Sequence, residues 1–414
     1  MGVKLVGFQA YQSALVGSWN FTARVLPRGT RLPSLELSHL LSAAVKAGRA
    51  EDFGSDDFRE PLQQLLASLE EGDNLHPFGR FYIKQMLVGL LVNRLKLVEL
   101  WKHQPQVLNE RITAPLIILG LPRTGTSFLF ELLAQDPAHR YLTNWEATVA
   151  QVAPEGNYSW EKDPRRKLGR RLMRFQNYLA PQMREIHSFH LDGPEECTPL
   201  LMQGFSTLAI ASMFNVPQYS EWLNTASHTE TYRHFKKILK TLQWKYPGER
   251  WLLKSPSHIE AVDSLLGVFP DARLVQIHRD PVKAVASFAS LSATFRGICS
   301  SKVDMEELGQ QALSRLSRDF STYLRVRKNC DSSRFFDLMY RDLITDPTAS
   351  VDRVYQHFGM KLSKEAGQQM RQYLGRKREG GGHNYSPEDF GLSAAQIRDQ
   401  FGDYIEAFGI PRDE

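Results

Sequence analysis

Pro115–Gln135 reads PLIILGLPRTGTSFLFELLAQ, and the fold follows from this stretch. Leu116 to Leu119 is a short apolar run with two isoleucines, which predicts a buried strand. The loop Gly120-Leu-Pro-Arg-Thr-Gly125 comes next. Thr126-Ser127 then opens an amphipathic helix, with Phe128, Leu129, Leu132 and Leu133 at helical spacing. Strand, glycine loop and helix start make a phosphate cradle, because successive backbone N–H groups and the helix N-terminus converge on an anion.

The spacing is that of the nucleotide-binding loop G-x-x-x-x-G-K-[ST] with one change. Gly120 and Gly125 are in register and Ser127 holds the Ser/Thr position, but Thr126 stands where the lysine belongs. The cation of this loop is Arg123, three residues earlier. An NTPase needs that lysine on its β/γ-phosphates and a serine-bound Mg²⁺ to manage a triphosphate. This loop suits a phosphate-like group with less charge to neutralise.

Working outward, strands alternate with helices. Arg140–Thr143 reads as a second strand running into Asn144-Trp145-Glu146, which puts Glu146 near a strand end. Ligands of open α/β sheets gather beyond strand C-termini, so Glu146 is expected to face the crevice of the loop. Trp251–Lys254, Ala272–Ile277 and Arg334–Tyr340 read as further strands. Asp280 caps the helix that starts at Pro281 and carries Ser287. The pattern implies an α/β fold: a P-loop-type central parallel β-sheet flanked by helices, with an N-terminal helical layer and helical insertions. Residues 1–110 are expected to be a helical extension packed on a core domain at 111–414, because Leu35–Ala47, Phe58–Glu71 and His76–Trp101 read as helices without chemistry.

Other segments read more plainly. The basic run at 160–180 is expected to be a solvated helix face. Asp192 or Gly193 is expected to cap a helix with Pro194 first and Glu195 and Glu196 in its opening turn, where they answer the dipole. His187 and His190 lack further ligands at metal spacing, so no metal is expected. Aromatic helices between Thr198 and Tyr246 are expected to be mostly core, with some lining a small-molecule pocket. Arg376-Lys-Arg-Glu-Gly-Gly-Gly-His383 is a basic glycine-rich loop.

The net charge of +5 suits a small anionic ligand and is too diffuse to argue for nucleic acid. Three cysteines without a C-x-x-C pair favour a reducing compartment, hence the cytoplasm. The N-terminal residues carry neither a signal-peptide core nor a myristoylation pattern, and no apolar run is long enough to span a membrane.

At Gly120-Leu-Pro-Arg-Thr-Gly-Thr-Ser127 and His278-Arg-Asp-Pro281 with Ser287, the chain resembles the sulfotransferases that use 3′-phosphoadenosine 5′-phosphosulfate (PAPS). It is most similar to the large bacterial-type family with a G-x-P-R-[ST]-G-T-[ST] loop. Asp52-Phe-Gly54, Asn93-Arg-Leu95, Trp145-Glu146, Asp192–Glu196, Leu253-Lys-Ser-Pro256 and Phe269–Arg273 add to the match. The resemblance implies that Pro122, Arg123, Thr124, Gly125, Thr126 and Ser127 bind the 5′-phosphosulfate. It implies that Arg279 and Ser287 bind the 3′-phosphate, and that the loop with Arg376 and Lys377 folds over the nucleotide. It also implies a sulfuryl transfer without metal to a hydroxyl or amine, and the aromatic helices favour a small apolar alcohol or phenol as the acceptor. Arg123 would stabilise charge developing on the leaving phosphate. A general base must take the acceptor proton. Glu146 is the first candidate and His190 the second, as in related sulfotransferases, with Glu195 and Glu196 third. The competing reading is a P-loop kinase or NTPase, against which Thr126 argues.

Overall fold

The computed structural model describes residues 14–25, 33–72, 75–149, 158–179, 190–300, 302–376 and 386–412. Five strands form one sheet: β1 Leu116–Gly120, β2 His139–Tyr141, β3 Arg250–Lys254, β4 Arg273–His278 and β5 Phe335–Met339. Their order is β2-β3-β1-β4-β5, and every pairing is parallel. All five residues of β1 are buried, as expected of a central parallel strand covered on both faces. Alternation splits its side chains: Ile117 and Leu119 join one apolar cluster, Leu116 and Ile118 the other.

β1 lies between β3 and β4; the crossover that leaves β1 runs to β2 in one half of the sheet, and the one that leaves β3 runs to β4 in the other. That switch point opens a crevice beyond the strand C-termini. Three strand ends deliver residues there: the loop after Gly120, Lys254 at the end of β3, and Arg279 just past β4.

The larger cluster runs from Val16 to Ile410 and includes the N-terminal helices. Among these is α1, Pro77–His103. Its Trp101 Nε1 donates to Thr241 Oγ1 at 2.9 Å, tying it to the helix Thr229–Lys245. Arg94 of α1, almost wholly buried, donates to the Phe53 carbonyl at 2.8 Å and pairs with Asp57 at 2.5 Å. Its bond to the Phe53 carbonyl joins the Asn93-Arg-Leu95 and Asp52-Phe-Gly54 motifs, and its guanidinium also sits 4.5 Å from the Phe58 ring centre. The smaller cluster is covered by α2, Thr126–Leu133, through Leu129, Phe130, Leu132 and Leu133.

Two expected elements differ. β2 stops at Tyr141, and Thr143 caps a short helix, α3, Asn144–Thr148, with Glu146 at its third position. Glu195 and Glu196 are not in a helix. Thr143 bridges Pro194 antiparallel, and Glu195 N–H donates to the Leu142 carbonyl at 2.7 Å. These contacts hold the segment extended, so the next helix starts only at Thr198. The basic run forms α4, Arg165–Leu179, as a helix.

Candidate active site

The loop after β1 has its shape for local reasons. Gly125 has φ +90°, and a Cβ there would lie 2.9 Å from Tyr340 Cδ2. A Cβ on Gly120 would come within 2.7 Å of Thr124 Oγ1. Arg123 takes the left-handed conformation at φ +64°, an uncommon state for a residue with a Cβ. Its carbonyl, so turned, accepts from Arg279 Nη1 at 2.7 Å. The two arginine-bearing turns are thus bonded to each other. Gly125→Ala is expected to cost about 1–3 kcal/mol; a thermal melt unchanged from wild type would refute this reading of the loop.

The crevice is a cavity of about 880 Å³. Pro122, Arg123, Gly125, Thr126, Ser127, Arg279 and Ser287 line it together. Thr124 does not: it is fully buried, and its hydroxyl donates to the Leu121 carbonyl at 2.7 Å, holding the loop from behind. Phe288, Leu291 and Phe295 make an apolar wall on α5, Pro281–Cys299. Leu208 and Met213 continue that wall. A second cavity of about 350 Å³ shares Leu208, Ser212 and Phe288 with the first.

Arg279 lies 3.9 Å from the Tyr340 ring centre. The neighbouring Asp280 is engaged elsewhere. One oxygen accepts from Val282 N–H at 3.1 Å and the other from Arg398 Nη2 at 2.6 Å. The strand end that aims Arg279 is itself held. His278 Nε2 lies 2.8 Å from Asp337, and its ring stacks on Phe408. Burial lowers the His278 pKa. Burial raises that of Asp337, but hydrogen bonds from His278 and Arg327 outweigh it and hold the carboxyl at about 2.

The base candidates separate by position. Glu146 is fully buried and is not among the cavity walls. One oxygen pairs with Arg140 at 2.5 Å, and the other accepts from Thr143 N–H at 3.2 Å and Thr143 Oγ1 at 3.0 Å. This corrects the expectation that it faces the crevice: the early end of β2 and the capping box turn it inward. His190 is exposed and outside the cavity walls. Glu195 and Glu196 both line the cavity. Glu195 accepts from Asn144 Nδ2 at 2.7 Å and from Glu196 N–H at 2.9 Å, so it orients its neighbour. Glu196 accepts from Thr198 Oγ1 at 3.1 Å and pairs with Lys254. His258 lies on the same strand-end segment, but burial pushes its pKa down to about 3 and it stays neutral outside the cavity walls.

Lys254 is the residue that the sequence reasoning passed over. It is 2% exposed, and its Nζ donates to Ser127 Oγ at 3.2 Å as well as to Glu196. It returns a lysine to the cradle from β3 rather than from position 126. The available signal was a lysine ending an apolar strand, followed by Ser-Pro. Arg376 ends the helix Lys364–Arg376, exposed and away from the cavity walls, whereas Leu374 lines the cavity. Lys377 lies outside the described residues. Among the described residues no cluster of His, Cys, Asp and Glu could hold a metal ion.

Comparison with known proteins agrees with this geometry. The sulfotransferase family model Sulfotransfer_3 matches residues 115–364. The solved structure of sulfotransferase STF1 from Mycobacterium tuberculosis H37Rv superposes with a TM-score of 0.80 at 33% identity, over 90% of this chain and 100% of that one. Sulfotransferase STF9 from Mycobacterium avium gives 0.83 at 28% identity, over 94% and 99%. The omega-hydroxy-beta-dihydromenaquinone-9 sulfotransferase Stf3 of Mycobacterium bovis is 27% identical over 311 residues, 72% of this chain and 76% of its own. With the loop, the sheet and the matched span in agreement, the chain belongs to the sulfotransferase family and is a sulfotransferase enzyme.

Proposed function

We propose that the cavity binds PAPS as sulfuryl donor and an apolar alcohol as acceptor, with Glu196 as general base. The observation that carries this reading is one cavity walled by both arginine-bearing turns, by Ser287 and by a pair of carboxylates. The residues fit the donor. The glycine-shaped loop and the opening of α2 suit the 5′-phosphosulfate, while Arg279 and Ser287 suit a second phosphate on the ribose.

Once bound, the donor supplies a sulfuryl group whose leaving phosphate oxygen gathers negative charge. Arg123 and the loop N–H groups answer that charge. Lys254, buried and bonded to Ser127 and Glu196, positions both. Glu196 takes the proton of the acceptor hydroxyl as its oxygen bonds to sulfur. Phe288, Leu291 and Phe295 hold the acceptor's apolar body and exclude water. The Stf3 relative is named for a long apolar alcohol, which supports the same acceptor class here. Cys197, Cys299 and Cys330 are free thiols, which supports a reducing, cytoplasmic setting. The kinase reading is not favoured: Asp280, its candidate Mg²⁺ ligand, is occupied by the helix start and Arg398.

Titration calorimetry with adenosine 3′,5′-bisphosphate and adenosine 5′-phosphate tests the donor. Wild type should prefer the bisphosphate. Arg279→Ala should weaken the bisphosphate by roughly ten- to a hundredfold, the value of a charge-assisted contact, and the monophosphate far less. Equal losses would remove Arg279 from the 3′-phosphate, and tighter binding of Mg²⁺-ATP would overturn the donor.

A further inference from the structure

The helix α4 reads RRKLGRRLMRFQNYL, with six Arg or Lys residues and no acid. Its mooring is one-sided. Arg165 is buried in an ion pair with Asp163 at 2.7 Å and lies 4.8 Å from the Trp145 ring centre. Gly169 sits so close to Trp145 that an added Cβ would come within 2.8 Å of its Cβ. Leu179 is buried, and Gln176 lines the cavity.

The other faces are unusual. Leu168 is 42% exposed, Leu172 40%, Phe175 45% and Tyr178 48%. Only seven large apolar side chains are at least 40% exposed among the described residues, and four share this helix. Their spacing of four, three and three residues puts them in one stripe. Lys167, Arg170 and Arg174 are exposed beside it and Arg171 within its arc, and among the described residues none has a carboxylate partner. Among the described residues Arg166 alone of the outer cations is tied down, by Asp192 at 2.8 Å. The expectation of a simple solvated face therefore misses the stripe.

An apolar stripe bordered by arginines, on a helix that is otherwise strongly cationic, is the pattern of a helix lying in a membrane interface. We propose that α4 docks the protein on a bilayer rich in anionic lipid. Leu168, Leu172, Phe175 and Tyr178 enter the boundary between headgroups and acyl chains, and the free cations bind the anionic headgroups. Nucleic acid would use the cations but leave the stripe in water. A second copy in a two-fold pairing would set like charge against like. Leu172 and Gln176 are one turn apart, so docking would bring a cavity wall to the lipid surface. If the reading of an apolar alcohol acceptor holds, the acceptor would enter from the bilayer.

Co-sedimentation of the full chain with vesicles tests this. Vesicles of phosphatidylcholine with phosphatidylglycerol should bind at least about tenfold tighter than pure phosphatidylcholine, and less so in high salt. The triple change Arg170→Gln, Arg171→Gln, Arg174→Gln should cost roughly tenfold or more. Leu172→Ser with Phe175→Ser should also cost roughly tenfold, by removing buried apolar area. Adenosine 3′,5′-bisphosphate affinity, measured on the same variants, reports that they fold. Absence of binding, equal binding to both vesicles, or full binding by either variant would overturn docking. So would a dimer in light scattering that the Ser pair dissociates, or binding to duplex DNA in place of vesicles. Failure of the wild type to bind adenosine 3′,5′-bisphosphate would strike the proposed donor instead, and would leave the vesicle result to stand by itself.

Discussion

Glu196→Gln is expected to lower sulfuryl transfer by roughly 10²–10⁴-fold, the range of a lost general base. Glutamine keeps the size and the hydrogen bond from Thr198 Oγ1, which lies 3.1 Å from the carboxylate. It cannot take a proton at neutral pH. Adenosine 3′,5′-bisphosphate should still bind, since its proposed contacts are on the loop and Arg279. Glu146→Gln separates the two roles. It leaves the buried Arg140 without its anionic partner and is expected to cost on the order of 3 kcal/mol in stability. The folded fraction should retain turnover. A fully active Glu196→Gln would end the assignment of the base, and an inactive but fully stable Glu146→Gln would return the role to Glu146.

The second large effect belongs to Arg123. Arg123→Ala should lower kcat by about 10²–10³-fold, as for loss of one donor aimed at developing charge. Nucleotide affinity should fall much less. The carbonyl of residue 123, which accepts from Arg279 at 2.7 Å, survives the change, so the junction of the two turns is kept. Single-turnover rates and calorimetry on the same protein separate the outcomes. An unchanged rate would refute charge stabilisation by Arg123. A loss confined to affinity would make it a binding residue only.

Both predictions use residues that the chain reveals unequally. Arg123 is singled out by its own loop, Arg279 and Ser287 by the resemblance of their motif, and the structure brings all three to one cavity. A glycine loop between strand and helix, or an Asp-Pro cap after a strand, announces itself within ten residues. Thr124 belongs to the same loop, yet its hydroxyl turns back to Leu121. Loop membership gives a position along the chain and leaves the direction of the side chain open.

Glu146 and Glu196 show the limit. Both are acids close to a strand end or a helix start in the sequence. Which one meets the cavity depends on the Thr143–Pro194 bridge between segments some fifty residues apart, a contact that no local pattern encodes. Lys254 is hidden for the same reason, because its distance to Ser127 exists only once β3 pairs with β1.

The linear chain, then, settled the strand-loop-helix cradle, the parallel α/β class and the two arginine turns, since each is written in short-range periodicity, glycine placement and capping. Tertiary structure alone decided which carboxylates line the cavity, where the cradle's lysine comes from, and that α4 shows an apolar stripe to solvent. Those outcomes depend on which faces become buried, and burial is set by packing between elements remote in sequence.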